Sequence, residues 1–302
     1  MSYTPVHTII QANAESFSGL VARLNLKPPV LIKPNWGTAD CFTEAQILDW
    51  VLAAIPGEKL VIESHGWARN EETLQGKPPG ALTKANLRKG ERWFLHYSGI
   101  DQVLAKHQVE YLNLTEEIWA GRAANSQLIR QAIEAQYPPV QFTELYEKVP
   151  ARVYALRGGT LLSLSKYKMV FAPLDVSLSV KNLFGLVTGP SRGKFHGKGH
   201  EHLSQSIVDI NKIYRCLFTV RGIIEAVFSA GDLPSETQKI NLFKDCGLAL
   251  GSEDMLSLDA FAATLGGKDP GTVDHLRLAA QTFGAWDART CAEAKASQLR
   301  IG

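Results

Sequence analysis

The stretch "PVLIKPNWGTADCFTEAQILDWVLAAIPGEKLVIES", residues 29–64, decides the fold class. It opens on the apolar run "PVLIKPNW", which predicts a buried strand. Its middle, "TEAQILDWVLAAI", has apolar residues at helical spacing and predicts a helix capped by Thr43. It closes on "EKLVIES", a second strand-like run. A strand, a helix and another strand in succession predict a parallel pair of strands within an α/β fold.

Strands and helices continue to alternate along the rest of the chain. "YSGIDQVLAKH" predicts a helix and "QVEYLNL" a strand, while residues 115–150 give only a helical insert at "NSQLIRQAIEAQ". A second series follows, with predicted strands at "PARVYAL", "YKMVFAPL", "GIIEAVF" and "CGLALG" and helices at "EHLSQSIVDINKIYRCLF", "SEDMLSLDAFAATLGG" and "PGTVDHLRLAAQTFG". We therefore expect one α/β domain over residues 1–302, with a mostly parallel or mixed sheet and flanking helices. Two lobes, about residues 1–145 and 146–290, would enclose a central cleft, followed by a short C-terminal tail.

The composition is that of a globular protein with little net charge. The 302 residues are 45% hydrophobic and 21% charged, and the formal net charge is +2. A charge this small argues against nucleic acid as the partner, so any basic binding surface must be local. No apolar run reaches the roughly 18 residues of a transmembrane helix, and "MSYTPVHTIIQANAESF" lacks the pattern of a signal peptide. We expect a cytoplasmic protein without a membrane partner, and a homo-oligomer is left open.

The cysteines are isolated from one another in the sequence. Cys41, Cys216, Cys246 and Cys291 form no Cys-x-x-Cys pair. This spacing argues against a local zinc site and against an iron–sulfur cluster. Isolated cysteines in a cytoplasmic chain are mostly small core residues.

A loop rich in glycine and basic residues follows the predicted strand "YKMVFAPL". Its sequence is "SLSVKNLFGLVTGPSRGKFHGKGHEH", residues 177–202, and its glycines let backbone amides approach a ligand closely. Arg192 and Lys194 supply donors for a phosphate or a carboxylate, and the loop leads into the N-terminus of a predicted helix. The spacing of a P-loop is absent. We interpret the loop as an anion-binding segment, and the alternative is a solvated basic loop.

The histidines of this loop leave several interpretations open. His196, His200 and His202 have the spacing H-x3-H-x-H. His196 and His200 would bind a divalent metal together on one helical turn, although the glycines between them disfavour a helix. Since histidine titrates near neutral pH, His196 is also a candidate acid or base, or a contact to a ligand. The remaining alternative is no functional role.

A lysine and an asparagine in the same loop have apolar neighbours. Lys181 and Asn182 lie in "SVKNLFG", which predicts that both are largely buried. A buried lysine needs an anionic partner. That partner is either a bound ligand or a structural carboxylate such as Asp175.

Polar residues also end the first two predicted strands. Lys33 and Asn35 follow the first strand, and Glu63 and His65 follow the second. Parallel strands bring their carboxyl ends to one edge of a sheet, so these residues predict a cluster of cations and acid/base groups there. A capping role for each pair is the alternative. Further along, Asp259 is interpreted as a solvated carboxylate on a helix, and the alternative is a carboxylate that faces a cleft.

These motifs resemble the domain-of-unknown-function family numbered 362. "SLSVKNLFGLVTGPSRGKFH" is similar to the family's Ser/Thr-rich strand followed by Lys-Asn-x-x-Gly, an Arg and a His, and "VLIKPNW" resembles its Lys-Pro-Asn element. The likeness covers roughly residues 25–285. It implies that one site contains Lys33, Asn35, Lys181, Asn182, Gly185, Arg192 and His196.

The sequence departs from the family pattern at several positions. Asp175 stands where many members have a Lys-x-His element, and Arg221 stands where members often have an Asp before Gly-Ile. No cysteine cluster is present for the ferredoxin-like segment that some members carry. Iron–sulfur chemistry is therefore not implied for this chain.

We predict an enzyme that acts by acid/base chemistry on a small anionic metabolite, either phosphorylated or carboxylated. A divalent metal at His196 and His200 is an optional aid. The candidate catalytic residues are His65, Glu63, His196 and Lys181, and the candidate ligand contacts are Lys33, Asn35, Ser177, Ser179, Asn182, Arg192 and Lys194. The alternative is a non-catalytic protein that carries a metal or cofactor to a partner enzyme. An enzyme would enclose Lys33, Lys181 and His196 in one pocket, whereas a carrier would expose its site.

Overall fold

The protein is built on a seven-stranded mixed sheet. The computed structural model describes residues 3–169, 174–189, 192–228 and 246–301. The strands are β1 (His7–Ile9), β2 (Val30–Pro34), β3 (Lys59–Glu63), β4 (Tyr111–Asn113), β5 (Thr160–Lys166), β6 (Thr219–Ala226) and β7 (Leu248–Ser252).

The order of the strands across the sheet is β1-β7-β6-β5-β2-β3-β4. The five strands from β6 to β4 are parallel, and β7 runs antiparallel to both of its neighbours. The predicted α/β class with a mostly parallel or mixed sheet is confirmed. Strands from both predicted lobes lie side by side in this one sheet, and the division into lobes stays a prediction.

The described residues also form fourteen α-helices that flank the sheet. They are α1 (Ala14–Ala22), α2 (Ala45–Ala54), α3 (Glu71–Leu74), α4 (Lys84–Tyr97), α5 (Ile100–His107), α6 (Leu114–Trp119), α7 (Ser126–Glu134), α8 (Ala151–Ala155), α9 (Ser179–Asn182), α10 (Gly193–His196), α11 (Leu203–Leu217), α12 (Met255–Leu265), α13 (Asp274–Phe283) and α14 (Ala288–Ile301). Among the helices in these ranges, none has the length and apolar character needed to cross a membrane.

One predicted strand is wrong, and a second lies only partly within the described residues. "PARVYAL" forms the short helix α8, which begins directly after Pro150, a residue whose fixed φ suits the start of a helix. The strand β5 ends directly before "YKMVFAPL", of which residues 170–173 are outside the described residues. The serines of β5 conceal it in the sequence, yet Ser163 and Ser165 are fully buried because the strand is central and covered on both faces.

Thr43 does not cap α2 as predicted. The N-cap position belongs to Glu44, whose side chain makes no capping hydrogen bond. The Thr43 hydroxyl instead accepts from the Asn35 amide at 3.0 Å and donates to the Leu164 carbonyl at 3.2 Å. Thr43 therefore ties the end of β2 to β5.

The topology of the sheet places a crevice between β2 and β5. From β2 the chain continues outward to β3 and β4, whereas β5 and β6 are added on the opposite side of β2. Connections that diverge from two neighbouring parallel strands leave room at the carboxyl ends of those strands, where α/β proteins bind ligands. Lys33 lies near the end of β2, so we expect a ligand site at this crevice.

Candidate functional site

A cavity of about 120 Å³ lies at the carboxyl ends of the central strands. Eight predicted residues line it, and they come from three separate parts of the chain: Lys33, Asn35, Glu63, Ser177, Lys181, Asn182, Gly185 and Arg192. Lys33 and Lys181 thus line the same cavity although they are far apart in the sequence.

A buried ion pair forms the floor of the cavity. Lys33 and Glu63 are 1% and 2% exposed, and the ammonium Nζ lies 2.8 Å from the carboxylate Oε2. Lys33 Nζ also donates to the Pro34 carbonyl at 2.8 Å and to Asn182 Oδ1 at 3.2 Å. An ammonium has three protons, so Lys33 has none left for a ligand. Burial lowers its pKa to about 8, against the opposing effect of Glu63.

Asn182 connects the two strands that bound the crevice. Its Nδ2 donates to the Lys33 carbonyl at 2.9 Å and to Ser163 Oγ at 3.1 Å. Its Oδ1 accepts from Lys33 Nζ and, at 3.2 Å, from Asn35 Nδ2. Asn182 therefore positions the Lys33 ammonium and the Asn35 amide at the same time.

Gly185 allows the backbone to pass directly over this ion pair. A Cβ atom at this position would lie 2.7 Å from Lys33 Nζ and 3.1 Å from Glu63 Oε1. Both distances are shorter than ordinary van der Waals contacts, and the side chains cannot move without breaking the buried ion pair. The glycine is required by this close approach.

We expect Gly185→Ala to lower the free energy of unfolding by about 1–3 kcal/mol, because it overpacks the buried pair. Gly37→Ala is the matched control, since Gly37 also lines the cavity but a Cβ there would meet nothing within 4 Å. Chemical denaturation of the two variants measures the difference. Equal stabilities would contradict the assigned role of Gly185.

Lys181 faces the same cavity without a carboxylate partner. Across the described ranges no carboxylate lies within 4.0 Å of its Nζ, which donates no hydrogen bond and lies 4.4 Å from the centre of the Phe184 ring. Asp175, the alternative structural partner, pairs with Lys268 instead. Burial, and then the neighbouring cations Arg192, Lys168 and Lys33, lower the pKa of Lys181 to about 7.

Two further cations of the cavity wall also have no carboxylate partner among the described residues. Arg192 donates from Nε to the Val187 carbonyl and from Nη2 to those of Gly185 and His65, so that within the described chain its Nη1 is unused. Lys168 donates to Asn35 Oδ1 at 3.0 Å and to the Cys41 carbonyl at 2.9 Å. Lys168 was not among the predicted site residues, because "YKMVFAPL" predicted a strand that contains it.

Asp259 is fully buried, so its interpretation as a solvated carboxylate is wrong. Its Oδ1 and Oδ2 accept from the backbone amides of Ser179 and Val180 at 2.9 and 2.8 Å. Burial raises the pKa of Asp259 to about 8, in spite of these two amides. The carboxylate fixes the start of α9, the helix that carries Lys181 and Asn182. Ser179, predicted to contact the ligand, contributes its amide to this anchor and does not line the cavity.

Comparison with known proteins identifies the family of this chain. A family model described as "Domain of unknown function (DUF362)" matches residues 30–264, which include the whole cavity wall. The chain belongs to the DUF362 family. Searches of the curated proteins and of the solved structures found no match.

His65 of this DUF362 protein is held by carboxylates on both sides. Its Nδ1 lies 2.6 Å from Glu91 Oε2 and its Nε2 lies 2.8 Å from Glu116 Oε1. Burial raises the pKa of Glu91, but Arg69 and His65 outweigh this effect and bring it to about 2. With both ring nitrogens occupied, His65 has no free position for a substrate proton. Its carbonyl accepts from Arg192 at 3.3 Å and so helps to place that guanidinium.

The other predicted residues of the DUF362 motif lie outside the first cavity. His196 and His200 line a second cavity, with their Nδ1 atoms 3.2 Å apart. No group of three or more His, Cys, Asp or Glu side chains suited to a metal occurs among the described residues. Lys194 points away from both cavities and pairs with Glu144. Pro190 and Ser191, at the centre of the predicted anion-binding loop, are outside the described residues.

Proposed function

We propose that this protein is an enzyme that binds a small phosphorylated or carboxylated metabolite in the cavity and acts on it by acid/base chemistry. One observation carries the proposal. Three cationic side chains without a carboxylate partner in the described structure, those of Lys168, Lys181 and Arg192, line one small cavity. Uncompensated cations repel each other, and an anionic ligand would relieve that repulsion.

The cations differ in what they offer a ligand. Lys181 has all of its ammonium protons free, and Arg192 has those of Nη1. These two groups are proposed to bind the charge, with Asn35 beside them to orient the ligand. Lys33 donates to three protein acceptors, and its proposed role is to support the cavity floor together with Glu63.

Lys181 is also the proposed acid/base residue. A lysine with a pKa of about 7 exchanges protons readily near neutral pH, so it can take a proton from a bound substrate and return it. Neither Glu63, held by Lys33, nor His65, held by two carboxylates, is equally free. The recessed position of Lys181 favours an enzyme over a carrier that would present its cargo on an exposed rim.

Sulfate binding should depend on the protonation of Lys181. Because its pKa is lowered to about 7, the ammonium form grows as the pH falls from about 9 to about 7. We expect sulfate affinity to rise by up to tenfold per pH unit over this window and to level off below it. Sulfate itself keeps its charge throughout, and calorimetric titration measures the affinity.

Lys33 and Asp259 have pKa values of about 8 and titrate in the same window, so the same titration of Lys181→Met measures their share of the pH dependence. The nearby histidines do not titrate there. Burial lowers the pKa of His196 to about 4 and that of His275 to about 3, so both stay neutral between about pH 6 and 9. Acetate, titrated over the same pH values, tests the carboxylate form of the proposal. Sulfate and acetate affinities that do not change with pH would contradict the role given to Lys181.

A further inference from the structure

The second cavity borders the first and is the larger of the two. Its volume is about 530 Å³, compared with about 120 Å³ for the cationic cavity. Arg192 lines both. Phe184 connects them further, because Lys181 Nζ lies 4.4 Å from its ring centre on one side and the His196 ring lies 5.2 Å away.

The wall of the second cavity differs in chemistry from that of the first. It includes the side chains of Trp67 and Leu82, and no carboxylate contributes to it among the described residues. The His196 ring is neutral at neutral pH because burial, and then the nearby Lys181, lower its pKa to about 4. The remaining wall consists of three glycines, Gly189, Gly193 and Gly197, and of His65, Arg192 and His200.

Trp67 is held in place although it is exposed. Its indole is 53% exposed, and Nε1 donates to the Gly80 carbonyl at 3.1 Å. A fixed indole with an open surface offers a stacking partner for a planar ring. A ligand with an anionic group and an apolar ring could therefore bind the cations of the first cavity with one end and Trp67 with the other.

We propose that the ligand has two parts, an anionic group bound by Lys181 and Arg192 and a planar ring that occupies the second cavity against Trp67. This inference rests on the proposed function, because the first cavity must bind the anion. It narrows the ligand class to small ring compounds that carry a phosphate or a carboxylate. Bare anions and their short aliphatic derivatives should bind less tightly.

Matched pairs of probes test this inference. Methyl phosphate is compared with phenyl phosphate, and acetate with phenylacetate, by calorimetric titration of the wild-type protein near pH 7. We expect the aromatic member to bind roughly tenfold more tightly than the aliphatic member in the pair that binds best. Trp67→Ala should remove this preference and leave the aliphatic probe unaffected. Tyr97→Ala, which removes an equally exposed aromatic ring that does not line the cavity, should keep it.

The possible results separate the two proposals. Equal binding of aromatic and aliphatic probes would overturn the ring site while the anion site stands. An aromatic preference that survives in Trp67→Ala would also overturn it, because the ring would then lie elsewhere. If none of the probes binds the wild-type protein, the proposed function fails and the ring site fails with it.

Discussion

Lys181→Met is expected to weaken sulfate binding by about ten- to a hundredfold and, at the same time, to stabilise the protein. The loss of affinity follows from the removal of a charge-assisted hydrogen bond to the anion. The gain in stability follows because the free protein carries Lys181 among three other cations, with Glu63 as the carboxylate of the cavity wall. Opposite effects on binding and stability are typical of a functional site.

The gain in stability should depend on pH. The pKa of Lys181 is about 7 in the folded protein and 10.5 as its ordinary value, so the unfolded chain binds the extra proton between these limits. The destabilisation that charged Lys181 causes in the folded protein is therefore complete below about pH 7. It disappears as the pH rises towards about 10. We expect Lys181→Met to unfold with a free energy higher by about 1–2 kcal/mol at pH 7, and by less at pH 9.

Lys194→Met is the matched control for this experiment. Lys194 belongs to the same loop, but it is exposed and paired with Glu144. The control should bind sulfate like the wild-type protein and should not be stabilised. A Lys181→Met protein that binds sulfate normally would remove the main support for an anion site.

Glu63→Gln is expected to cause the largest loss of stability, about 3–5 kcal/mol. The substitution leaves the ammonium of Lys33 buried at 1% exposure without its counter-charge. The double variant Lys33→Met with Glu63→Gln should recover much of the loss, since it removes both charges together. Urea denaturation of the wild type, both single variants and the double variant completes the cycle.

The exposed pair of Lys194 and Glu144 provides the comparison. Glu144→Gln should cost less than about 1 kcal/mol, because an exposed ion pair contributes little. Similar losses in Glu63→Gln and Glu144→Gln would mean that the buried pair does not support the cavity floor as described.

The sequence predicts the fold class and the cavity wall because both depend on short-range patterns. "PVLIKPNW" and "EKLVIES" form β2 and β3 as expected, and a parallel sheet then brings Lys33 and Glu63 to one edge. The likeness to DUF362 added Lys181, Asn182 and Arg192 from the second half of the chain. The alternation of helices and strands does not by itself show that the residues from the first half of the chain meet those from the second half.

The missed features depend on long-range packing. The carboxylates that occupy His65 come from α4 and α6, and nothing in the local sequence around His65 indicates them. Asp259 lies in "MLSLDAFAATL", whose residues are all buried. The nearly continuous apolar character of this helix was the available signal that its single carboxylate would be enclosed.

The pairing of β2 with β5 joins segments that are far apart in the chain, with Val30 opposite Thr160. While the protein is being synthesised, β2, β3 and β4 emerge first and leave one side of β2 without a neighbour until β5 arrives. An unpaired strand edge invites wrong associations, and closing such a long loop is slow. Lys168, Lys181 and Arg192 all follow β5 in the chain, so the cations of the cavity are synthesised only after the strand that covers this edge.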